Sequence, residues 1–282
     1  MNTIKLCSDS TSDLSAELIQ QNNIAIIPLF VNFSNQSYRD NLDITSATLF
    51  RKVSETGTLP STSAPSPSDF TNEFAKHIEK GMDILHISLS SKISTAYQNA
   101  CIAAEQFPQG RIKIIDSLNL SSGIGLLVMT AADCIQKGLP LDSITSTVQE
   151  KVAKVRTQFI IDTAEYLYKG GRCSGLQMVL SSVLKIHPVI QVTDGSMHLA
   201  AKIRGSRQQV LNFLVSHAQE KADEAAPERV FITHTGCDDD ALWIKNKLAE
   251  LNVFQQILIT NASCVISSHC GPNTIGILFM DK

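Results

Sequence analysis

Residues 83–115 read DILHISLSSKISTAYQNACIAAEQFPQGRIKII, and this stretch decides the fold class. It opens with an apolar, strand-like run at Asp83–Ser88. Apolar side chains then recur at helical spacing over residues 94–106, and a second β-rich run, RIKII, occupies residues 111–115. A strand, a helix and a strand in this order predict two parallel strands joined by a crossover helix.

The same alternation extends over the rest of the chain. In the first half, further strands are predicted at residues 3–7 and 24–31, and helices at 14–20, 46–54, 68–79, 122–137 and 141–154. In the second half, strands are predicted at 157–161, 189–193, 197–201, 229–234, 255–260 and 274–280, and helices at 175–184, 205–222 and 239–250. Asp194-Gly195, between two of these strands, predicts a tight hairpin turn.

The pattern predicts an α/β protein made of two α/β domains, residues 1–155 and 156–282. The length of 282 residues also fits two domains of ordinary size. Because strands and helices alternate, we expect a mostly parallel sheet in the N-terminal domain. The hairpin predicts a mixed sheet in the C-terminal domain.

Composition and charge exclude several classes of protein. Hydrophobic residues make up 43% of the chain and charged residues 18%, which rules out a disordered chain, collagen and a coiled coil. The net charge of −3 disfavours a nucleic-acid partner bound through its phosphates. We expect no stable membrane insertion, because no apolar run approaches about 18 residues and the first residues do not resemble a signal peptide. Seven cysteines without CxxC spacing predict reduced thiols in a cytoplasmic protein.

The usual self-contained catalytic motifs are absent from the sequence. It holds no P-loop, no GxSxG nucleophile elbow, no HExxH and no EF-hand loop. Gly123 and Gly125 begin a GxG pattern that lacks the third glycine of a dinucleotide-binding loop. These absences weigh against a stand-alone enzyme, and we expect neither a bound metal nor a cofactor.

Two hydroxyl-rich segments of the first half are candidates for ligand binding. The segment STSAPSP at 61–67 is either a flexible linker or a rigid turn whose prolines aim hydroxyl groups at an anion. The segment LSSKIST at 89–95 crowds hydroxyls at an expected helix N-terminus, on the carboxyl side of a strand, where open parallel sheets bind ligands. Helix capping is the alternative explanation, although it accounts for only one or two of these hydroxyls.

Two segments of the second half also stand out. Gly170-Gly171 is expected to end a helix in a left-handed cap, and Arg172 is either a solvated charge or a bidentate contact to a phosphate or carboxylate. His269 lies in the Ser/Gly/Pro-rich segment 267–276, which we interpret as a loop. There a histidine is either structural or donates a hydrogen bond to a carboxylate. Cys270 beside it is a nucleophile or, the favoured interpretation, an incidental buried cysteine.

Seven segments, in this order, resemble the DegV family. They are CSDSTSDL at 7–14, IPL at 27–29, YRD at 38–40, STSAPSPSDF at 61–70, LSSKISTAYQ at 89–98, EYLYKGGR at 165–172 and HCGPNTIGI at 269–277. Each segment alone is weak. Together the resemblance extends from residue 4 to residue 278, and the set is specific for the family but not for the ligand.

The resemblance implies two α/β domains with a lipid site between them, and a protein that binds a long-chain fatty acid. Some members present the fatty acid to a separate fatty acid kinase, which makes an acyl phosphate for phospholipid synthesis. The implied ligand-binding residues are Thr62, Ser63, Ser94, Thr95 and His269. Of these, Thr62 and Ser94 match positions that hydrogen-bond the carboxylate. Arg172 matches a residue at the mouth of the site that is associated with the kinase partner.

The chain departs from the family pattern beside these positions. Ala64 stands where the family usually has Gln, Thr95-Ala96 where it has Gly-Thr, and Asn273 where it has Gly. The acyl tail needs an apolar tunnel, and Ile124–Ala132 and Val179–Ile190 are either its walls or ordinary core.

Two alternatives to a lipid carrier stay open. One is an acyl hydrolase that uses Ser94 or Cys270 with His269, since catalytic triads are defined by geometry and not by spacing. The other is a regulatory protein that senses a lipid without delivering it to a kinase.

Overall fold

The computed structural model describes residues 2–33, 36–174 and 186–282. Its strands are β1 (Ile4–Asp9), β2 (Ala25–Ile27), β3 (Phe30–Phe33), β4 (Gln36–Arg39), β5 (Ser61–Ser63), β6 (Asp83–Ser88), β7 (Ile112–Asp116), β8 (Val155–Ile160), β9 (Cys173–Ser174), β10 (Ile186–Thr193), β11 (Ser196–Arg204), β12 (Ala225–His234), β13 (Gln256–Asn261) and β14 (Ile275–Asp281). Its helices are α1 (Ala16–Gln21), α2 (Ser46–Thr56), α3 (Pro67–Ile78), α4 (Ala96–Ala104), α5 (Ser122–Gln136), α6 (Leu141–Val152), α7 (Glu165–Gly170), α8 (Arg207–Glu220), α9 (Asp238–Glu250) and α10 (Cys264–Cys270).

The first half of the chain forms a parallel sheet of four strands in the order β2-β1-β6-β7. The unit β6–α4–β7 confirms the strand–helix–strand prediction made from residues 83–115. Helices α3 and α4 contact one face of the sheet, and α5 and α6 pack together on the other. Successive side chains of a strand point to opposite faces, so Leu6 and Cys7 of β1 lie in different apolar clusters.

The second half forms a mixed sheet, as predicted. Its order is β13-β12-β14-β8-β10-β11-β9 in the part of the chain that the structure describes. Strands β12 and β13 are parallel, and β14, β8, β10 and β11 are joined by antiparallel pairs. The predicted hairpin is confirmed, since Asp194 and Gly195, both with positive φ, connect the paired residues Thr193 and Ser196. The two-domain α/β fold is therefore as expected, while the boundary at residue 155 stays a prediction.

Helix α5 lies between the two sheets. It contacts β1 and β6 on one side and β8, β12 and β14 on the other. Eleven of its fifteen residues are buried, which explains why the segment is apolar on all sides. For Ile124–Ala132, core packing is thus the explanation that the structure supports. The predicted helix at 175–184, with most of the candidate wall Val179–Ile190, lies outside the described residues.

The structure corrects the prediction of one strand at residues 24–31. Strand β2 ends at Ile27 and β3 begins at Phe30, with Pro28 between them. Proline has no amide hydrogen and interrupts a sheet ladder. After this break the chain leaves the parallel sheet, and β3 pairs antiparallel with β4 and with β5 in a separate three-stranded sheet.

A second correction concerns residues 267–276, which were predicted to form a loop. The first four of them belong to helix α10, Cys264–Cys270. The hydroxyl of Ser263 accepts a hydrogen bond from the backbone N–H of Ile266 and caps this helix. Helix α10 contacts α2, β3 and β5 of the first half, and α7 of the second. It therefore brings the C-terminal part of the chain to the small sheet.

Within the described ranges, no helix is long and apolar enough to cross a membrane.

Candidate functional site

One cavity of about 470 Å³ lies between the two halves of the chain. The structure brings all six predicted site residues to its wall: Thr62, Ser63, Ser94, Thr95, Arg172 and His269. Apolar side chains line the same cavity: Leu29, Leu89, Leu120, Met197, Val265 and Ile266. The wall thus has a hydroxyl-rich part, the polar end, and an apolar part, the apolar end.

Thr62 and His269 form the centre of the polar end. Thr62 is the middle residue of β5 and pairs with Val31 of β3. His269 lies in the last turn of α10, not in a loop. The Thr62 Oγ1 and His269 Nε2 atoms are 2.8 Å apart, although 207 residues separate them in the sequence. The packing of α10 on β5 makes this hydrogen bond.

The surroundings of His269 keep its side chain neutral. Burial, and secondarily the positive charge of Arg172, lowers the pKa of His269 to about 4. Its Nδ1 atom is buried and has no hydrogen-bond partner among the residues that the structure describes. At neutral pH this imidazole is therefore uncharged, with one nitrogen bonded to Thr62.

Ser94 lies in the loop between β6 and α4. Its backbone N–H donates a hydrogen bond to the Ser90 carbonyl at 3.2 Å, which folds the loop back towards the cavity. The Ser94 hydroxyl accepts a hydrogen bond from the N–H of Ala96 at 3.1 Å. This bond closes a turn just before α4, and the hydroxyl still holds a proton to donate. Thr95 precedes α4, and its exposed side chain also lines the cavity.

Two cationic side chains line the cavity. The exposed side chain of Arg172 donates a hydrogen bond from Nη1 to the carbonyl of Gly170 at 2.6 Å. Lys92, which the sequence argument missed, also lines the wall, and no carboxylate does so in the described part of the chain. The positive charge of these two side chains therefore favours an anionic group in the cavity.

A second, outer groove of about 640 Å³ adjoins the cavity. The two spaces share Thr62, Arg172 and His269 on their walls, so the Thr62–His269 hydrogen bond separates them. Lys169 and Tyr166 of α7 also line the outer groove. Side chains of α7 and its cap thus surround the polar end from the outside.

At the apolar end, the cavity borders a narrow space of about 20 Å³ in the protein core. Leu120, Ile266 and Cys270 line both spaces. Phe159 and Leu278, from adjacent strands of the mixed sheet, line the narrow space but not the cavity. Protein core therefore lies behind this part of the cavity wall.

Sequence reasoning missed two buried carboxylates that fix α10. Asp40 Oδ1 accepts the backbone N–H of Cys264 at 2.8 Å, and Asp13 Oδ1 accepts that of Ser263 at 2.9 Å. Both aspartates come from the first half of the chain, and both bind the N-terminus of the helix that carries His269. They lie in the quoted segments CSDSTSDL and YRD, but nothing in the sequence names partners more than 200 residues away.

Asp9, from the same CSDSTSDL segment, plays a similar part for the loop that carries Ser94. Its Oδ2 atom accepts hydrogen bonds from the backbone N–H of Leu89 at 2.6 Å and from the Ser88 hydroxyl at 2.8 Å. The carboxylate therefore fixes the point at which the loop leaves β6.

The departures from the family pattern fit the local structure. Asn273 has φ +57°, a conformation that glycine adopts freely and that asparagine tolerates best among the other residues. Its side chain donates to Asp162 at 3.3 Å. Ala64 and Thr95 both line the cavity. Of the changed residues, Ala64 and Thr95 therefore border the cavity, whereas Ala96 and Asn273 are not among its lining residues.

The arrangement of nucleophiles bears on the hydrolase alternative. The Ser94 hydroxyl bonds to the start of α4, and His269 Nε2 bonds to Thr62. Cys270 is buried, and burial raises the pKa of its thiol far above the ordinary value. Neither proposed nucleophile is paired with His269 in this arrangement, which favours binding over acyl transfer. Nor do the described residues hold a cluster of three metal-ligating side chains.

Comparisons with known proteins agree with this architecture. A family model described as "Uncharacterised protein, DegV family" matches residues 3–282. A DegV domain-containing protein of Clostridium acetobutylicum is 31% identical over 282 residues, which is 100% of both chains. A solved structure described as fatty acid binding of a DegV family protein from Thermus thermophilus has 29% identity and a TM-score of 0.92, and covers 99% of this chain and 100% of its own.

A second solved structure, of DegV from Bacillus subtilis, is described as that of a fatty acid binding protein. It has 25% identity and a TM-score of 0.87, and covers 100% of both chains. The match of the family model over nearly the whole chain, with these likenesses in sequence and fold, shows the family: this chain is a member of the DegV family.

Proposed function

We propose that this chain binds a long-chain fatty acid in the 470 Å³ cavity and presents it to a separate fatty acid kinase, which forms the acyl phosphate. The observation that carries the proposal is the pairing of a hydroxyl-rich end with an apolar end in one cavity. Solved relatives at 29% and 25% identity are described as fatty acid binding, which supports the same ligand here. The proposal includes no metal or cofactor and places the protein in the cytoplasm.

The polar end offers a carboxylate the partners that burial requires. An ionised carboxylate removed from water without hydrogen bonds costs several kcal/mol or more. Thr62 and Ser94 supply hydroxyl groups, and Lys92 and Arg172 supply positive charge at the cavity wall. None of these groups needs to form a covalent bond with the ligand.

The apolar end supplies most of the affinity. Burying an acyl chain contributes about 0.8 kcal/mol per CH₂, so a chain of fourteen methylenes contributes about 11 kcal/mol before losses. That sum is enough for dissociation constants below about 1 µM. Tail burial therefore dominates binding, and the hydroxyl groups set the direction in which the ligand lies.

The direct test is to extract the purified protein with a denaturing organic solvent and to identify what is released by mass spectrometry. Near-stoichiometric fatty acid supports the proposal. Displacement of a fluorescent fatty acid then tests the residues, with Thr62→Val and Ser94→Ala expected to weaken binding about tenfold or more each. Matched controls are Thr147→Val and Ser146→Ala on α6, which contributes no residue to the cavity described above. Wild-type affinity in both site variants would remove these residues from the site.

Delivery to a kinase is the part of the proposal that needs a partner assay. Arg172 is exposed at the mouth of the cavity, beside the predicted carboxylate, where a second protein has access to it. We expect the Arg172→Ala variant to lose acyl phosphate formation with a fatty acid kinase and to lose the complex in a pull-down. Lys247→Ala is the control, since Lys247 of α9 pairs with Glu250 at 2.8 Å and lines neither the cavity nor the outer groove. A protein that binds the fatty acid but no kinase would be a lipid sensor.

One observation keeps the hydrolase hypothesis testable. The 2.8 Å contact between Thr62 Oγ1 and His269 Nε2 has the spacing of a nucleophile and its base. Two facts oppose catalysis: burial and Arg172 lower the pKa of His269 to about 4, and no described carboxylate orients its Nδ1. A p-nitrophenyl ester assay decides, because turnover that disappears in Thr62→Val, Ser94→Ala or Cys270→Ala would support the enzyme.

A further inference from the structure

Gly170, the last residue of α7, lies directly against the imidazole of His269. A Cβ atom at position 170 would be 2.3 Å from His269 Nδ1. It would lie 3.0 Å from Cε1 and 3.4 Å from Cγ, the two ring atoms bonded to Nδ1. A Cβ stacked over the face of the ring at Nδ1 would lie nearer to Cε1 and Cγ than this, so the approach is from the outer edge of the ring at Nδ1. This is the direction in which Nδ1 carries either its lone pair or its proton.

The glycine discriminates between the two neutral forms of the histidine. A Cα hydrogen of Gly170 occupies the direction of the missing Cβ and points at Nδ1. An Nδ1–H proton would meet that hydrogen head-on and would be a buried donor without an acceptor among the described residues. An unprotonated Nδ1 instead faces a C–H group, a weakly favourable contact. The single proton of the neutral ring therefore belongs on Nε2.

Arg172 acts on both Gly170 and His269. Its guanidinium donates to the Gly170 carbonyl at 2.6 Å, which holds the glycine in place. Its positive charge also opposes a second proton on His269. The residue that the family pattern associates with the kinase thus also contributes to the state of the headgroup site.

We propose that Gly170 and Arg172 fix His269 as the Nε2–H tautomer and thereby make the Thr62 hydroxyl a donor towards the ligand. Nε2–H donates to Thr62 Oγ1, so the hydroxyl proton turns away from the ring and into the cavity. Gly170 is a positioning residue in this scheme, because it acts through His269. The inference rests on the proposed function and specifies the headgroup: an oxygen that accepts a hydrogen bond, as a carboxylate does.

The tautomer is measured on the 282-residue protein from which bound lipid has been removed. The protein is labelled with ¹⁵N-histidine, and two-bond ¹⁵N–¹H correlations at pH 7 report which ring nitrogen is protonated; the His269→Gln variant assigns the signals. We expect the Nε2–H pattern for His269. An Nδ1–H pattern, or a charged ring at this pH, would overturn the inference. Because no fatty acid is present, this result is independent of whether the protein binds one.

Substitution of the glycine is the second test. Gly170→Ala must displace the His269 ring and break its bond to Thr62, and we expect its oleate affinity to fall about tenfold or more. Gly171→Ala is the matched control: its φ of +68° imposes strain, but its Cβ would meet no atom within 4 Å. In a His269→Ala background, Gly170→Ala should cause no further loss. A Gly170→Ala protein with wild-type tautomer and affinity would contradict the proposal.

A long-chain amine is the probe for headgroup selection. Its ammonium group offers only hydrogen-bond donors, so the Thr62 hydroxyl proton finds no acceptor on this ligand. The positively charged side chains of the cavity also repel the ammonium group. We expect dodecylamine to displace a fluorescent fatty acid at least about a hundredfold less well than laurate of equal chain length. Equal displacement by both probes would show that Thr62 does not present a donor, while fatty acid binding itself would stand.

Discussion

The Ser90 side chain donates a hydrogen bond to the carbonyl of Gly195 at 2.7 Å, across 105 residues of sequence. This bond joins the loop that carries Ser94 to the tip of the β10–β11 hairpin. The Ser90 carbonyl also accepts the N–H of Ser94, so one residue both shapes the loop and ties it to the other half of the chain. Gly195 has φ +82°, and a Cβ there would lie 2.6 Å from the Ser90 Oγ and 2.9 Å from the Lys92 Cγ. The contact requires a glycine.

Gly195→Ala should therefore destabilise the protein and loosen the ligand loop. The left-handed backbone alone costs about 1–2 kcal/mol for a residue with a Cβ, and the collision with Ser90 and Lys92 adds to it. Gly110→Ala is the control, because Gly110 has φ +85° and nothing within 4 Å of its Cβ position. Urea unfolding should show a clearly larger loss for position 195, with weaker fatty acid binding only there. Equal losses at both positions would mean that the hairpin tip does not restrain the loop.

Asp40→Ala should weaken the attachment of α10 to the first half of the chain. The substitution leaves the Cys264 N–H and the Ser10 hydroxyl without their carboxylate partner. Buried groups without partners cost about 1–3 kcal/mol each, so we expect a loss above about 2 kcal/mol in the free energy of unfolding. Fatty acid affinity should fall as well, because α10 positions His269.

Asp43→Ala serves as the control for this experiment. Asp43 is only three residues further along, but it pairs with Arg39 at the surface, where ion pairs contribute little. Urea titration of both variants gives the comparison. If the Asp40 variant were as stable as the Asp43 variant, the carboxylate would not be what fixes α10.

Local patterns were enough to predict most of the fold. Strand β6, helix α4 and strand β7 follow from the apolar spacing of residues 83–115, and the hairpin follows from Asp194-Gly195. Such features depend on residues close together in the sequence. The break at Pro28 was missed, because an apolar run looks the same whether it continues in one sheet or passes into another.

Local patterns marked the segments that carry the candidate site, and the family resemblance assigned their residues to one ligand. Helix α10 contains Ser267, Ser268 and His269, which are weak helix formers, and tertiary packing overrides that preference. Its hydrogen bonds to Asp13 and Asp40 span more than 200 residues, and no spacing argument reaches so far. The contact of Gly170 with His269 could not be predicted either, because the pair Gly170-Gly171 is typical of an ordinary helix cap.

Asp13 predicts a pH dependence of stability. Burial raises the pKa of its carboxyl to about 7, while hydrogen bonds from Ser121 and Ser263 partly oppose the shift. In the unfolded chain the group titrates near pH 3.9. Between about pH 4 and pH 7 the folded state therefore holds more of this proton, and stability from this group falls as the pH rises. The Asp13→Asn side chain does not titrate. As the pH rises through this window, the free energy of unfolding of this variant should therefore increase relative to that of the wild type by up to about 1.4 kcal/mol per pH unit.

Urea unfolding at half-unit steps from pH 4.5 to 7.5 measures that difference. Asp43→Asn is the control, because Arg39 holds the pKa of Asp43 near 2 and the group stays ionised over the whole window. The difference in the free energy of unfolding between Asp43→Asn and the wild type should not change with pH. A flat difference for Asp13→Asn as well would mean that the Asp13 carboxylate is ionised in the folded protein at all these pH values.

The neutral state of His269 predicts how ligand affinity responds to pH. Because burial and Arg172 lower the pKa of His269 to about 4, the ring loses no proton between pH 6 and pH 8. If the site held the carboxylate through an imidazolium with an ordinary pKa near 6.5, affinity would fall up to about tenfold per pH unit above that value. We expect the dissociation constant of oleate, measured by fluorescent displacement at constant ionic strength, to change by less than about twofold over this range. His269→Gln should weaken binding without changing the slope. A steep fall that disappears in His269→Gln would show that the histidine binds its ligand as a cation, and that Arg172 does not suppress its charge.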